Sequence, residues 1–219
     1  MANKILKNIS IVIYMDHDGI YTIPNNLPSK LCEAIIRKFE NEPQYHIEGK
    51  LGTGHNIQKV DKSIKDSTEI DVFNTPGWEK AGEKLIHFLD KGLDEYLQKY
   101  KEMLRSNLDE EDVELVYRRT LLPFDIRSPN IQRVTKGKKY RWHHDGGMRD
   151  TKVLTYMWYL NTIKPEDGGA TEFIGGKSVQ PEAGKLLIFP ATWMNLHTGR
   201  LVKCDAKYTC VGNIHRDIP

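Results

Sequence analysis

The spacing of apolar positions along the chain changes character near Val113. Before it, the run LPSKLCEAIIRKFENEP sets Leu31, Ile35, Ile36 and Phe39 at helical spacing, which predicts a helix opening near Pro28 and stopping before Pro43. Residues 45–74 are polar, contain glycine and are weakly periodic, so loops with short strands are expected there. The stretch NTPGWEKAGEKLIHFLDKGLDEYLQKYKEML predicts a longer helix, capped by Thr75 with Pro76 in its first position. Trp78, Ala81, Leu85, Phe88, Leu89, Tyr96, Leu97 and Tyr100 form its apolar stripe, and SNLDEED then breaks the pattern. From Val113 onward the runs are short and strand-like: VELVYRRTLL, NIQRVT, KYRWHHD, KVLTYMWYL, ATEFI, KLLIFP and KYTCVGNIH. The turn signals KPEDGG, GGKS and PEAGK separate several of them. Close to the N-terminus, the β-branched ISIVIYM also predicts a strand. The expected fold is mainly β with flanking α. A barrel or jelly-roll core covers about 111–219, helical support covers about 1–110, and the two make a single domain over 1–219.

Composition narrows the function classes. Lys and Arg total 32 against 30 Asp and Glu, and this balance of charge argues against a dedicated nucleic-acid binder. No apolar run approaches the roughly 20 residues that a membrane-spanning helix needs. The opening MANKILKNISIVIYM lacks the apolar length and small-residue cleavage site of a signal peptide. The three cysteines, Cys32, Cys204 and Cys210, have no CxxC spacing. They provide neither a disulfide framework nor a thiolate zinc site, and a reducing, intracellular setting is expected.

The chemistry concentrates in YRWHHDGGM, Tyr140 to Met148. On a strand, side chains alternate between faces, so His143 and Asp145 share one face and His144 points away beside Trp142. One further histidine would complete a two-His, one-carboxylate set, which suits a metal with open coordination positions. His197, 54 positions after His143, is the candidate. Taken alone, a His-x-Asp tripeptide is also compatible with a solvated surface, and His197 with a hydrogen-bonded structural histidine. His17, His46, His55, His87 and His215 have no such context and are read as structural or surface residues.

The order of motifs decides between these readings. The segment YRWHHD…TYMWYLN…GGATEF…GKLLIFP…HTGRLVKCDAKYT closely resembles the prolyl 4-hydroxylase-like branch of the 2-oxoglutarate/Fe(II) oxygenases, from about Ile131 to Thr209. Tyr140, His143 and Asp145 fit Tyr-x-x-His-x-Asp, and Tyr159–Asn161 fit the YLN strand end. Gly168, Gly169, Thr171 and Phe173 fit GGxTxF, Gly184 to Phe189 fit GxLLIF, and Lys207 with Tyr208 follow the distal histidine. The helix LPSKLCEAIIRKFE is similar to one in smaller oxygenases of this group, some of them encoded by bacteriophages. The chain departs from the pattern at Val134 and Asn213, where relatives often carry aromatics on the substrate side.

The resemblance implies a double-stranded β-helix of about eight strands flanked by N-terminal helices. It implies Fe(II) held by His143, Asp145 and His197, with 2-oxoglutarate and O2 as co-substrates and ascorbate as an accessory reductant. Lys207 would anchor the distal carboxylate of 2-oxoglutarate, with Tyr159 and Thr209 as hydroxyl donors. Tyr140 would either donate in the same way or pack on the barrel wall, and Thr155 shares the strand face of Tyr159. The implied activity is hydroxylation of an unactivated C–H, foremost in a peptidyl proline. The alternatives are a free amino acid, another small molecule, or a metal-binding jelly roll without catalysis. The Arg-x-Asn-x-Thr-x-Arg pattern of the base-demethylating relatives is missing. The loop GGMRDTK, residues 146–152, follows the ligands directly, and its Arg149 and Lys152 are expected at the rim where substrate enters.

Overall fold

A computed structural model describes Met15 and residues 18–52, 58–121, 123–146 and 151–216. The strand expected at ISIVIYM lies, except for Met15, outside the described residues.

Among the described residues three α-helices pack beside the sheets: α1 (Ser29–Asn41), α2 (Glu79–Arg105) and α3 (Glu110–Leu121). The first follows the predicted span, and Cys32, Ile35 and Phe39 are its buried face. The second begins three residues later than Pro76. Gly77 adopts φ +81°, which no helical residue shares, so Thr75 to Trp78 form an isolated turn closed by Trp78 N–H donating to Thr75 O at 3.2 Å. The Thr75 hydroxyl donates back to Asp71 O and caps nothing.

The strand expected at VELVYRRTLL is corrected to a helix, α3. Its β-branched residues fit a strand by propensity, but Val113, Val116 and Tyr117 lie at i, i+3 and i+4, a helical stripe. Asp109 accepts from the Asp112 N–H at 2.9 Å, Glu110 to Asp112 load the first turn with negative charge, and Arg118 and Arg119 load the last with positive charge. Helical structure therefore runs to Leu121 rather than to about 110. Lys101 ties α3 to α2, pairing with Glu114 at 2.6 Å and lying 4.0 Å from the Tyr117 ring centroid.

The strands, in chain order, are β1 (Tyr21–Ile23), β2 (Ile47–Glu48), β3 (Leu51–Gly52), β4 (Gln58–Lys59), β5 (Thr68–Asp71), β6 (Phe124–Ile126) and β7 (Asn130–Thr135). They continue with β8 (Tyr140–His143), β9 (Lys152–Tyr159), β10 (Thr171–Phe173), β11 (Ser178–Val179), β12 (Leu186–Pro190), β13 (His197–Gly199) and β14 (Ala206–Arg216). The larger sheet runs β1-β12-β9-β14-β7-β5-β2, with β6 also on β14. The smaller runs β11-β10-β13-β8, and β3 pairs with β4 alone. Every pairing between these strands is antiparallel. This is the two-sheet arrangement of a double-stranded β-helix.

The central strands are buried on both faces, which is why KVLTYMWYL and KLLIFP read as continuous apolar runs. Leu154, Tyr156 and Trp158 of β9 join Leu186 and Ile188 of β12 in the core that α1 and α2 cover. The alternate residues Met157, Tyr159, Leu187 and Phe189 form a second cluster with Phe173 and Val179 from the smaller sheet. Helix α2 drives Leu85, Leu89, Leu93, Tyr96 and Leu97 into the first core, and Trp78 closes its end with its indole N–H on Glu42 at 2.8 Å. Among the described residues no helix is long and apolar enough to cross a membrane.

Leu89 is fully buried, so Leu89→Ala is expected to cost about 2–5 kcal/mol of folding stability. Leu115 on α3 is 48% exposed, and Leu115→Ala should stay within about 0.5 kcal/mol. Urea unfolding of both variants beside the wild type measures the contrast.

Candidate functional site

His143 ends β8 and His197 begins β13, and the two are directly opposite in the antiparallel register. The next pair in register is Tyr140 with Gly199, so Arg141 and Trp142 together face Thr198 alone. This bulge reverses the alternation for one step. Tyr140 and His143, three apart, therefore fall on the same side, and their rings stack at 3.6 Å with 16° between planes. Strict alternation predicts the pairing of His143 with Asp145. The strand in fact stops at His143, and Asp145 comes back to it from the following bend.

His143 Nε2 lies 3.5 Å from Asp145 Oδ1, and His197 Nε2 lies 3.8 Å from Asp145 Oδ2. One donor atom from each of the three residues falls within 4.8 Å of the others. Each histidine uses its Nδ1 on a backbone carbonyl two residues earlier: His143 on Arg141 O at 2.7 Å, His197 on Asn195 O at 2.9 Å. A carbonyl accepts only from N–H, so both rings carry a proton on Nδ1 and turn Nε2 toward the cluster. Burial, then the neighbouring His197, push the His143 pKa down to about 4, which keeps this ring neutral near pH 7. Burial alone would raise the Asp145 carboxyl, but His197 and His143, with Thr155 and Lys152, hold it below its usual range. Two imidazoles and one carboxylate are the donor types of an Fe(II)-type set. Phe189 and Phe173 wall His197 at ring distances of 4.8 and 5.5 Å.

Backbone packing fixes this corner. A Cβ on Gly146 would run into the Ala191 carbonyl oxygen, so the chain leaving Asp145 touches the turn that leads to His197. Lys152 Nζ donates to Asp145 O at 3.1 Å and ties the ligand loop back to β9. Lys152, expected at the rim, lines the cavity and makes this contact, while Arg149 lies outside the described residues. His144 is exposed with Nδ1 on Gly146 O, consistent with a bystander. Of the remaining histidines, His46 stacks on Phe39 and His87 packs edge-on against Phe88. His215 pairs with Thr151, while His17 and His55 are outside the described residues.

The cluster opens into a cavity of about 1350 Å³. Lys207 lies in its wall, 6% exposed, with Nζ donating to Gly169 O at 2.7 Å and lying 5.3 Å from the Tyr159 ring centroid. Among the described residues no carboxylate pairs with it, and burial alone depresses its pKa to about 8. Thr209 and Thr171 line the same wall. Tyr159 stands behind them, fully buried, its hydroxyl 2.8 Å from Thr171 Oγ1. Thr171 was within reach of a period-two reading of ATEF, which places it on the face of Phe173. The opposite wall holds a buried Lys65–Glu69 pair at 2.6 Å, with Ser67 also donating to Glu69 at 2.7 Å. Their segment, residues 61–69, carries no periodicity that would have singled them out.

The sequence profile of the 2OG-Fe(II) oxygenase superfamily matches residues 129–215, the segment holding all three clustered residues and Lys207. No curated protein sequence matches the chain. Among solved structures, a prolyl hydroxylase from Trichoplax adhaerens, in complex with a peptide of the oxygen degradation domain of hypoxia inducible factor, superposes with a TM-score of 0.65 at 18% identity. The match covers 91% of this chain and 84% of that one. The viral collagen prolyl hydroxylase of Paramecium Bursaria Chlorella virus-1, in a 2-oxoglutarate complex, gives 0.60 at 18% identity over 93% and 99% of the two chains. A Pseudomonas putida prolyl-4-hydroxylase gives 0.56 at 17% identity over 92% and 95%. Residues 129–215 carry the signature of the 2OG-Fe(II) oxygenase superfamily, and the chain shares the fold of these solved prolyl hydroxylases.

Proposed function

We propose that the chain hydroxylates a proline within a peptide, with Fe(II) held by His143, Asp145 and His197 and 2-oxoglutarate anchored by Lys207. The observation that carries the reading is Lys207 itself. A lysine buried in a cavity wall without a carboxylate partner is costly unless an anion arrives to meet it, and this one shares its cavity with the metal-type cluster. The distal carboxylate of 2-oxoglutarate is such an anion, with Thr209 and Thr171 hydroxyls beside it. Tyr159 orients Thr171 and backs the lysine with its ring face. Tyr140 packs on His143 and fixes its tilt. Bound Fe(II) supplies O2-dependent oxidation of a C–H bond coupled to decarboxylation of the oxo-acid. The protein aims both imidazoles through their backbone carbonyl partners, and Phe173 and Phe189 wall His197.

A peptide substrate is supported by cavity size. Small-molecule sites are about 300–1,000 Å³, and this cavity is larger, with room for chain on either side of a target residue. Proline is supported by the fold shared with three prolyl hydroxylases, one of them bound to a peptide. We take residues 1–219 as one working unit, since α1 and α2 cover the sheet that carries Lys207. Unpaired Cys32, Cys204 and Cys210 suit a reducing, intracellular setting.

Three outcomes test the proposal. Succinate release by the Fe(II)-loaded protein should be stimulated by proline-containing peptides and not by free proline; the reverse would make it a free-amino-acid hydroxylase. In equilibrium dialysis with Mn(II), His143→Ala and Asp145→Ala should lose metal binding while His144→Ala keeps it. Lys207→Ala should weaken 2-oxoglutarate binding by at least about 2 kcal/mol, roughly 30-fold, and leave Mn(II) uptake nearly unchanged. Lys207→Arg need not rescue it, because a planar fork and a point charge fit different pockets.

Lys207 also sets a pH dependence. Its pKa in the folded protein is about 8, and the carboxylate needs its protonated form. Affinity for 2-oxoglutarate should thus be full below pH 8 and fall by up to about tenfold per unit above it. Folding stability responds in the opposite sense. The unfolded lysine keeps its proton up to about pH 10.4, so between pH 8 and 10.4 the unfolded state binds more protons and this residue's contribution to stability rises with pH. Titration calorimetry of 2-oxoglutarate from pH 7 to 9.5 checks the first effect, and Lys207→Arg should flatten the curve.

A further inference from the structure

The polar chain around the site extends past Asp145. Asp145 Oδ2 lies 2.7 Å from Thr155 Oγ1, and Thr155 Oγ1 lies 3.0 Å from Asn213 Nδ2. Thr155 and Asn213 are direct cross-strand partners in the β9–β14 register, so the central pairing of the larger sheet fixes their separation. Thr155 is 2% exposed, and Asn213 is half-buried in the cavity wall.

The direction of this chain is determined. A hydroxyl has one proton, and the Asn213 amide nitrogen can only donate. With Nδ2 donating to Thr155, the threonine proton is free for Asp145 Oδ2. A flipped amide would take that proton on Oδ1 and leave a hydroxyl oxygen facing a carboxylate oxygen at 2.7 Å with nothing between them. Only one orientation satisfies all three groups. Asp145 thus carries the threonine donor on Oδ2, which also lies 3.8 Å from His197 Nε2, while Oδ1 lies 3.5 Å from His143 Nε2.

We propose that Thr155 and Asn213 are positioning residues which occupy Asp145 Oδ2 and restrict the carboxylate to metal coordination through Oδ1. The inference rests on the reading of Asp145 as a ligand. It bears on the reaction through the count of coordination positions. Two histidines and a one-oxygen carboxylate leave three of six positions open. A carboxylate bound through both oxygens leaves two, too few for a chelating oxo-acid and one further reactant. A hydrogen bond to the second oxygen also holds the ligand's orientation, as outer partners of metal ligands commonly do.

Co(II) reports coordination through its visible absorption and serves as the probe. Wild-type protein is expected to take up one Co(II) and to bind 2-oxoglutarate in that form. Thr155→Val keeps the shape and removes the hydroxyl. It should change the Co(II) spectrum and weaken 2-oxoglutarate binding to the Co(II)-loaded protein by about 10- to 100-fold. Thr155→Ser should restore both to within about threefold. Asn213→Asp should act like Thr155→Val, because a carboxylate at 213 turns the threonine proton away from Asp145. It also covers the case in which Thr155→Val fails to fold. An unchanged spectrum and affinity in a folded Thr155→Val or Asn213→Asp variant would overturn the inference alone. So would equal losses in Thr155→Ser and Thr155→Val, which would assign the effect to packing. Wild-type protein that takes up no Co(II) would overturn the metal-centre reading and this inference with it.

Discussion

The antiparallel pairing of β9 with β14 is the constraint on which the other features of this molecule depend. Both strands lie in the middle of the larger sheet, and β9 is buried along most of its length. One face of the pair gives Leu154, Tyr156, Trp158, Cys210 and Ile214 to the core beneath the helices. The other gives Thr155, Thr209 and Asn213 to the cavity, with Tyr159 behind Thr209's register position in the second core cluster. Because side chains alternate with a period of two, a slip of one residue would exchange these faces, placing the lysine of β14 in the helical core and a tryptophan in the site. Helix packing and site geometry therefore select the same register.

The smaller sheet supplies the metal-type cluster by a different device. Its strands are short, and two of the clustered residues lie at strand ends: His143 closes β8 and His197 opens β13. The bulge opposite Thr198 lets Tyr140 support His143 from the side that regular alternation would deny it. Backbone carbonyls then fix both imidazole tautomers. The donors are thus aimed by main-chain geometry, which depends little on the identity of surrounding side chains.

Charge is distributed around the cavity by the same economy. Among the described residues the buried lysine of β14 has no carboxylate partner, whereas Lys65 on the far wall has Glu69 at 2.6 Å. The first is the cation on which the proposed 2-oxoglutarate anchor rests; the second is already paired in the wall. Burial makes both arrangements energetically significant, because a charge in a dry cavity is poorly solvated and its partner decides its cost.

The sequence by itself determined the parts that rest on local order and composition. Helix α1 follows from the spacing of Leu31, Ile35, Ile36 and Phe39 and a flanking proline, and the central strands follow from unbroken apolar runs. The metal-type cluster and Lys207 were legible through the order of motifs around them. Other features were decided only by the tertiary structure. Residues 113–122 read as a strand because their β-branched residues dominate the propensity, while the cap at Asp109 and packing on α2 make 110–121 a helix. Gly77 moved the start of α2, because a positive φ is a property of the turn and not of the helical stripe. Asn213 and Thr155 are 58 residues apart, and no local pattern links them; the hydrogen bond between them exists because a long-range register sets them face to face. Periodicity specifies which face a side chain occupies, but its partner across the sheet is chosen by the pairing of distant strands.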